Sequence, residues 1–288
     1  MTEKLIDLCF SNPPYNNGTD LKIIKETLSF CEEMVVVHPS SWIIDLKGKS
    51  SLFKQIRNLL EKSIESISLF NGNKIFNIKL FVPCCITHII TNKTSKDGIN
   101  VDYFGREFKV NEISDITKFG PEWKIVRPFI EKIAAYIDTN GSLWDKRVNK
   151  ETSGKYYAQL AAIRANVSDN PDVLVNDDFY TLVMKESEKN KGIRIDLIPG
   201  NDCVPTYEFE TEIERDNFIE YCKTYFVRFC LSLLKISQNC HRGEMYLIPQ
   251  MDFAEEWNDE KLYKFFDIDI DTQRYIESFL PDYYGLRK

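Results

Sequence analysis

Apolar positions along the first half of the chain switch between the periods of strands and helices. Leu5-Ile-Asp-Leu-Cys-Phe10 is a short, nearly continuous apolar run ended by Ser11-Asn-Pro-Pro14, the pattern of a buried strand. After Asn16-Asn-Gly18, Thr19 or Asp20 can cap a helix to about Glu33, with Leu21, Ile24, Leu28 and Cys31 at helical spacing. The β-branched run Met34-Val-Val-Val-His38 predicts a second buried strand, and strand–helix–strand in so short a compass implies a parallel pair. Ser51 to about Ser66 reads as another helix, with Leu52, Phe53, Ile56, Leu59, Leu60 and Ile64 on one face. Ile67–Phe70 and a long segment from Ile75 to Asn92 predict strands, Pro83 marking a bulge or an edge, and Tyr103–Phe108 predicts a small hairpin. Pro128 interrupts one helical pattern, and a helix over Phe129–Ile137 follows.

The turn cluster Asp138-Thr-Asn-Gly-Ser142 predicts a boundary between a domain of residues 1–138 and one of 139–288. Beyond it, strands are expected near 158–166, 178–184 and 193–198. Thr211-Glu-Ile-Glu214 is a capping box opening a helix to about Ile236, with Phe218, Cys222, Phe226, Phe229 and Leu233 at helical spacing. Two short helices near 259–266 and 272–279 close an α/β protein without internal repeats.

Composition narrows the class. At 288 residues, with 43% hydrophobic and 13% aromatic side chains, the chain has material for about two cores. No apolar run nears the ~20 residues that span a bilayer, and Met1–Asp7 lacks a basic and apolar leader, so a soluble, cytoplasmic protein is expected. Net charge is -7, unevenly spread: residues 1–150 hold 21 Lys/Arg and 18 Asp/Glu, the remainder 16 and 26. Any DNA contact therefore needs a local basic surface. The densest candidate is Lys146, Arg147, Lys150 and Lys155, beside Tyr156 and Tyr157. Eight cysteines show no C-x-x-C, so no metal site is expected and most should be small buried hydrophobes.

The sharpest signal is Asn12-Pro-Pro-Tyr15, directly after the first strand. The carboxyl end of a strand is where open α/β sheets place ligands. The residue types suit a reaction at an exocyclic amine of a base. Such an amine is a poor nucleophile because its lone pair is delocalised into the ring. Two acceptors aimed at its hydrogens favour a tetrahedral nitrogen, and the Asn12 side-chain oxygen and the Pro13 carbonyl can supply them. Pro13 and Pro14 fix the backbone and present carbonyls without competing N–H donors. Tyr15 offers a face on which a flipped-out base stacks. His38, at the end of its strand, reads as a core or supporting histidine rather than a base.

The stretch Asp7-Leu-Cys-Phe-Ser-Asn12-Pro-Pro-Tyr15 resembles the catalytic motif of the N6-adenine DNA methyltransferases of restriction-modification systems and phages. Asp20-Leu-Lys-Ile-Ile-Lys25 and Val35-Val-Val-His-Pro-Ser-Ser-Trp42 resemble the helix and strand that follow in that family. Glu220–Phe229, Leu247-Ile-Pro-Gln-Met-Asp252 and Trp257–Tyr263 are similar to the C-terminal part of large enzymes that fuse recognition to methylation. The resemblance implies a partial Rossmann-like methyltransferase sheet followed by a mixed α/β target-recognition region. It also implies S-adenosylmethionine as cosubstrate, DNA as partner, and a catalytic role for Asn12, Pro13, Pro14 and Tyr15.

One feature of the family is missing. The Phe-x-Gly-x-Gly loop that holds the cosubstrate has no counterpart: with 12 glycines, no G-x-G occurs, only 11 residues precede Asn12, and Ile198-Pro-Gly-Asn201 has the wrong context. The expectation is therefore a catalytic and recognition portion whose Gly-rich loop comes from a protein partner. The alternatives are a catalytically inactive relative that binds DNA or protein, and an acidic inhibitor of DNA enzymes.

Overall fold

The computed structural model describes residues 5–44, 50–77, 83–93, 98–146, 156–162, 166–167, 175–176, 180–186, 206–234 and 242–280. The chain is a mixed α/β protein of two compact units, residues 1–123 with 167–175, and residues 124–166 with 176–288. The division falls where a long helix begins. The turn cluster at 138–142, expected to separate the domains, sits in the second unit at the end of that helix.

The first unit is built on a six-stranded sheet. Its elements in chain order are β1 (Ile6–Ser11), α1 (Thr19–Thr27), β2 (Cys31–Pro39), α2 (Ser41–Ile44), α3 (Ser51–Leu60), β3 (Ile64–Phe70), α4 (Gly72–Phe76), β4 (Cys84–Ile90), β5 (Ile99–Tyr103) and β6 (Arg106–Val110). The strand order is β1-β2-β4-β3-β5-β6. β1 and β2 are parallel, as the strand–helix–strand pattern implied, and so are β3 and β5; the other neighbours are antiparallel. β5 and β6 form the expected hairpin, turning through Phe104 and Gly105 with φ of 53° and 89°. Two positive φ angles match the right-handed twist of the strands they join.

Alternation along the strands defines two faces. Met34, Val36 and His38 of β2 are buried on one face, and Ile67 and Leu69 of β3 are likewise buried. The helices lie on the His38 face: Asp20 of α1 approaches His38, the Trp42 ring of α2 stacks on it, and α3 packs against both helices. The pattern of α3 explains its position, with Ile56 and Leu60 buried and Ser50 capping its first turn by accepting from the Phe53 N–H.

Two expectations are corrected here. The apolar run of β1 is not a buried strand. It is the edge of the sheet, and Leu5, Ile6, Leu8 and Phe10 are 78%, 43%, 44% and 74% exposed. A strand is buried on both faces only when other layers cover it, and among the described residues β1 pairs with β2 alone. The long strand expected over Ile75–Asn92 is shorter: Ile75 and Phe76 belong to α4, and β4 starts after Pro83.

The second unit opens with α5 (Trp123–Asn140), which begins at the division, and α6 (Leu143–Lys146). Strands β7 (Tyr156–Ala162), β10 (Tyr180–Glu186) and β11 (Thr206–Phe209) follow, while the two-residue strands β8 (Asn166–Val167) and β9 (Val175–Asn176) fall at the two points where the chain passes from one unit to the other. β10, β7 and β11 form an antiparallel sheet. The strand expected near 193–198 lies outside the described residues. α7 (Glu212–Lys223), α8 (Tyr225–Leu233), α9 (Asp259–Phe265) and α10 (Ile270–Phe279) complete the unit. α5 runs through Pro128 rather than starting after it, because Val126, Phe129 and Ile133 bury one continuous face. The capping box is formed, Thr211 and Glu214 each closing the other's backbone N–H. The single helix expected to Ile236 is two, broken at Thr224, which caps α8. Phe129 meets Phe226 and Phe229 edge-on at 5.4 and 5.3 Å in an aromatic core.

Candidate functional site

Asn12, Pro13, Pro14 and Tyr15 leave the carboxyl end of β1 and lead, through a 3-10 turn at Asn16–Gly18, into α1. The motif thus occupies the mouth of the parallel pair β1–β2. Pro13 is buried and anchors the turn, while Asn12 and Pro14 are exposed and Tyr15 is half-buried. Gly18 closes it at φ 71°, and a Cβ there would meet Leu52 of α3 at 2.7 Å. The left-handed φ favours glycine there, while the Leu52 methyl could shift aside.

The Tyr15 hydroxyl donates to the Asn12 side-chain oxygen at 2.7 Å. Burial, followed by the neighbouring Cys84, Asp20 and Cys85, pushes the phenol up to about 12. Tyr15 is therefore a neutral donor throughout the physiological range, and it orients the Asn12 amide. A carbonyl oxygen accepts two hydrogen bonds, so one acceptor site of Asn12 remains for an incoming amine.

A buried polar group lies near this turn. His38 is fully buried; its Nε2 is 2.9 Å from Thr87 Oγ1, and its Nδ1 is 3.5 Å from Asp20 Oδ2. The latter distance is an ion-pair contact, longer than a formed hydrogen bond. The Trp42 ring stacks at 5.6 Å. Burial disfavours the imidazolium, but Cys85 and Asp20 outweigh it and raise His38 to about 9. The raised pKa favours the imidazolium, which lies between Thr87 and Asp20. Cys84, pushed up to about 12 by burial and Cys85, is an inert thiol. Ser40 fastens this corner by donating through both its N–H and its hydroxyl to the Pro83 carbonyl, each at 2.9 Å.

The structure thus joins Asn12 and Tyr15 by a hydrogen bond and adds Asp20, His38 and Thr87 nearby, a network the apolar pattern did not single out. Its signal was a histidine at an inward position of a β-branched strand. Of the basic patch, Lys146 is exposed at the end of α6 in the second unit, and Arg147, Lys150 and Lys155 lie outside the described residues. Among the described residues no group of three His, Cys, Asp or Glu side chains is placed to hold a metal ion, and no helix is long and apolar enough to cross a membrane. No protein-family model matches the chain, and no curated protein matches it.

Proposed function

We propose that this chain is the catalytic and target-recognition portion of an N6-adenine DNA methyltransferase, with the loop for S-adenosylmethionine supplied by a second polypeptide. The observation that carries this reading is the Asn12–Tyr15 turn, exposed at the carboxyl end of a parallel strand pair with its Asn oxygen held by Tyr15. The residues act on the amine. Asn12 Oδ1 and the Pro13 carbonyl would accept its two hydrogens and the Tyr15 ring would stack on the flipped adenine, so that these residues bind the base and orient its amine. This is catalysis by position and electrostatics, with no covalent enzyme intermediate.

The residues present do not fit the cosubstrate itself. The sequence has no G-x-G, and among the described residues the strand that leads into the motif is an edge strand of its sheet. The same observation favours the second reading, a catalytically inactive relative that binds DNA or protein.

The two are separated by mixing the chain with the cosubstrate-binding half of an intact N6-adenine methyltransferase, cut just before its own Asn-Pro-Pro-Tyr strand. Mass spectrometry of the DNA then quantifies N6-methyladenine. Methylation that requires both pieces supports the enzyme. A complex that binds DNA and leaves adenine unmodified establishes the inactive relative.

A further inference from the structure

The sheet lets go of the chain just before the Asn12–Tyr15 turn. Ser11 and Val36 are the last residues paired between β1 and β2, and β2 runs on to Pro39 paired with β4. Continuing the β1–β2 register by two residues would bring Pro13 abreast of His38. The turn therefore lies outside the ladder, and its place is set by its two ends, β1 and the first turn of α1. Among the described residues β1 is an edge strand, with Leu8 and Phe10 exposed, so it gives the turn little lateral support. Whatever fixes the start of α1 then fixes the turn.

Asp20 is placed to do so. It lies in the first turn of α1 and is buried, and its Oδ2 faces the fully buried His38 Nδ1 at 3.5 Å. From the sheet, Thr87 Oγ1 of β4 meets His38 Nε2 at 2.9 Å. The Trp42 ring of α2 stacks on the imidazole, and Arg57 of α3 donates to the Trp42 carbonyl at 2.7 Å. The other titratable groups of this corner are Cys85, paired with His38 across the ladder, Cys84, and Tyr15 itself. A buried charged pair is a poor source of stability, because an apolar pair of the same size avoids the desolvation cost. Packing alone therefore does not account for Asp20 and His38. At 3.5 Å the contact is held by charge more than by a directed hydrogen bond, so its strength follows the ionisation of both groups. The Asp20 charge also reaches Tyr15, where it helps to keep the phenol protonated and donating to Asn12.

We propose that Asp20 and His38 are a pair of positioning residues for the adenine site. By tying the first turn of α1 to the end of β2, they hold Tyr15, and through it the Asn12 side-chain oxygen, where the amine is bound. Both are buried and act through Tyr15 and Asn12 rather than on the base. The inference rests on the proposed reading of the turn as an adenine site, and it adds a condition to that reading: the turn is held in its working place only while both partners are charged.

Two measurements on the same variants test the pair, and the first needs no activity. The Thr19 N–H bonds to the Asn16 carbonyl and reports on the 3-10 turn that follows Tyr15. In the free chain at neutral pH, Asp20→Asn and His38→Gln should each exchange this amide at least tenfold faster, with the amides of the β5–β6 hairpin unchanged. The double variant Asp20→Asn/His38→Gln should be no faster than the single variants, since either change alone breaks the pair. Thr19 exchange at the parent rate in both single variants would overturn the proposal. So would an equal acceleration in the hairpin, the mark of a general loss of stability. The second measurement is single-turnover methyl transfer by the chain mixed with the cosubstrate-binding half described above, at saturating DNA. Either variant should lower the rate at least tenfold and keep DNA affinity within about threefold. The parent rate should fall as pH rises through about 9, where His38 gives up its proton, and the lower His38→Gln rate should stay flat. Variants that methylate like the parent overturn the positioning role and leave the enzyme standing. A parent mixture that never methylates, with Thr19 exchange as expected, removes the methyltransferase reading and keeps the pair as what positions the turn.

Discussion

Tyr15 has two separable parts, a hydroxyl that holds Asn12 and a ring on which the proposed function would stack the adenine. In the assembled complex we predict that Tyr15→Phe keeps DNA affinity within about threefold, because the ring remains. Tyr15→Ala should lose the stacking worth about 1–3 kcal/mol per base, a fall in affinity of roughly 5- to 150-fold. Fluorescence anisotropy with an adenine-containing duplex reads both, and equal losses would show that the ring does not stack. The motif itself was legible because its residue types are rare in combination and follow an apolar run. The Tyr15–Asn12 hydrogen bond was not, since nothing in the spacing of the four residues says which way the phenol points.

At the scale of elements, the Asp20–His38 contact couples the start of α1 to the end of β2. His38 is raised from 6.5 to about 9 by its surroundings, with Cys85 and Asp20 overcoming burial. A group whose pKa is higher in the folded state binds its proton more tightly there. Its stabilisation is therefore complete below pH 6.5 and is lost as pH rises through 9. Urea midpoints should fall between pH 6.5 and 9 for the wild type and stay flat for His38→Gln across that window; the same decline in both would remove His38 as the cause. α5 offers a second test. Pro128 is exposed and lacks the N–H that would bond one turn back. Pro128→Ala should stabilise the protein by about 1–3 kcal/mol, read as a raised melting temperature, and an unchanged or lowered value would show that the proline costs this helix nothing. Periodicity found most of these elements. It failed where a competing rule won: burial of one face carried α5 across a proline, and a threonine cap split α7 from α8. The apolar pattern of β1 was read correctly as a strand and incorrectly as interior, because an apolar run does not record whether its strand stands inside the sheet or at its edge.

For the whole molecule, charge and completeness decide what the protein can do. The basic side chains are outnumbered overall, so the DNA binding proposed here requires a local surface. Lys146→Glu with Arg147→Glu should weaken binding to all DNA sequences. It should also flatten the slope of log affinity against log salt by roughly one for each phosphate that no longer meets a basic side chain. An unaltered slope would place the DNA path elsewhere. An α/β chain and a parallel pair bearing the motif were within reach of the sequence; the mixed character of the sheet, with β4 inserted antiparallel between β2 and β3, was not, because neighbours in a sheet need not be neighbours in the chain. The central claim is that Asn12 acts on the adenine amine in the transition state. Single-turnover methyl transfer in the assembled complex at saturating DNA, wild type against Asn12→Ala, puts that claim to the test. The rate should be at least 100-fold lower with DNA affinity unchanged, the pattern of an interaction made only in the transition state. An unchanged rate of adenine methylation in Asn12→Ala would contradict it.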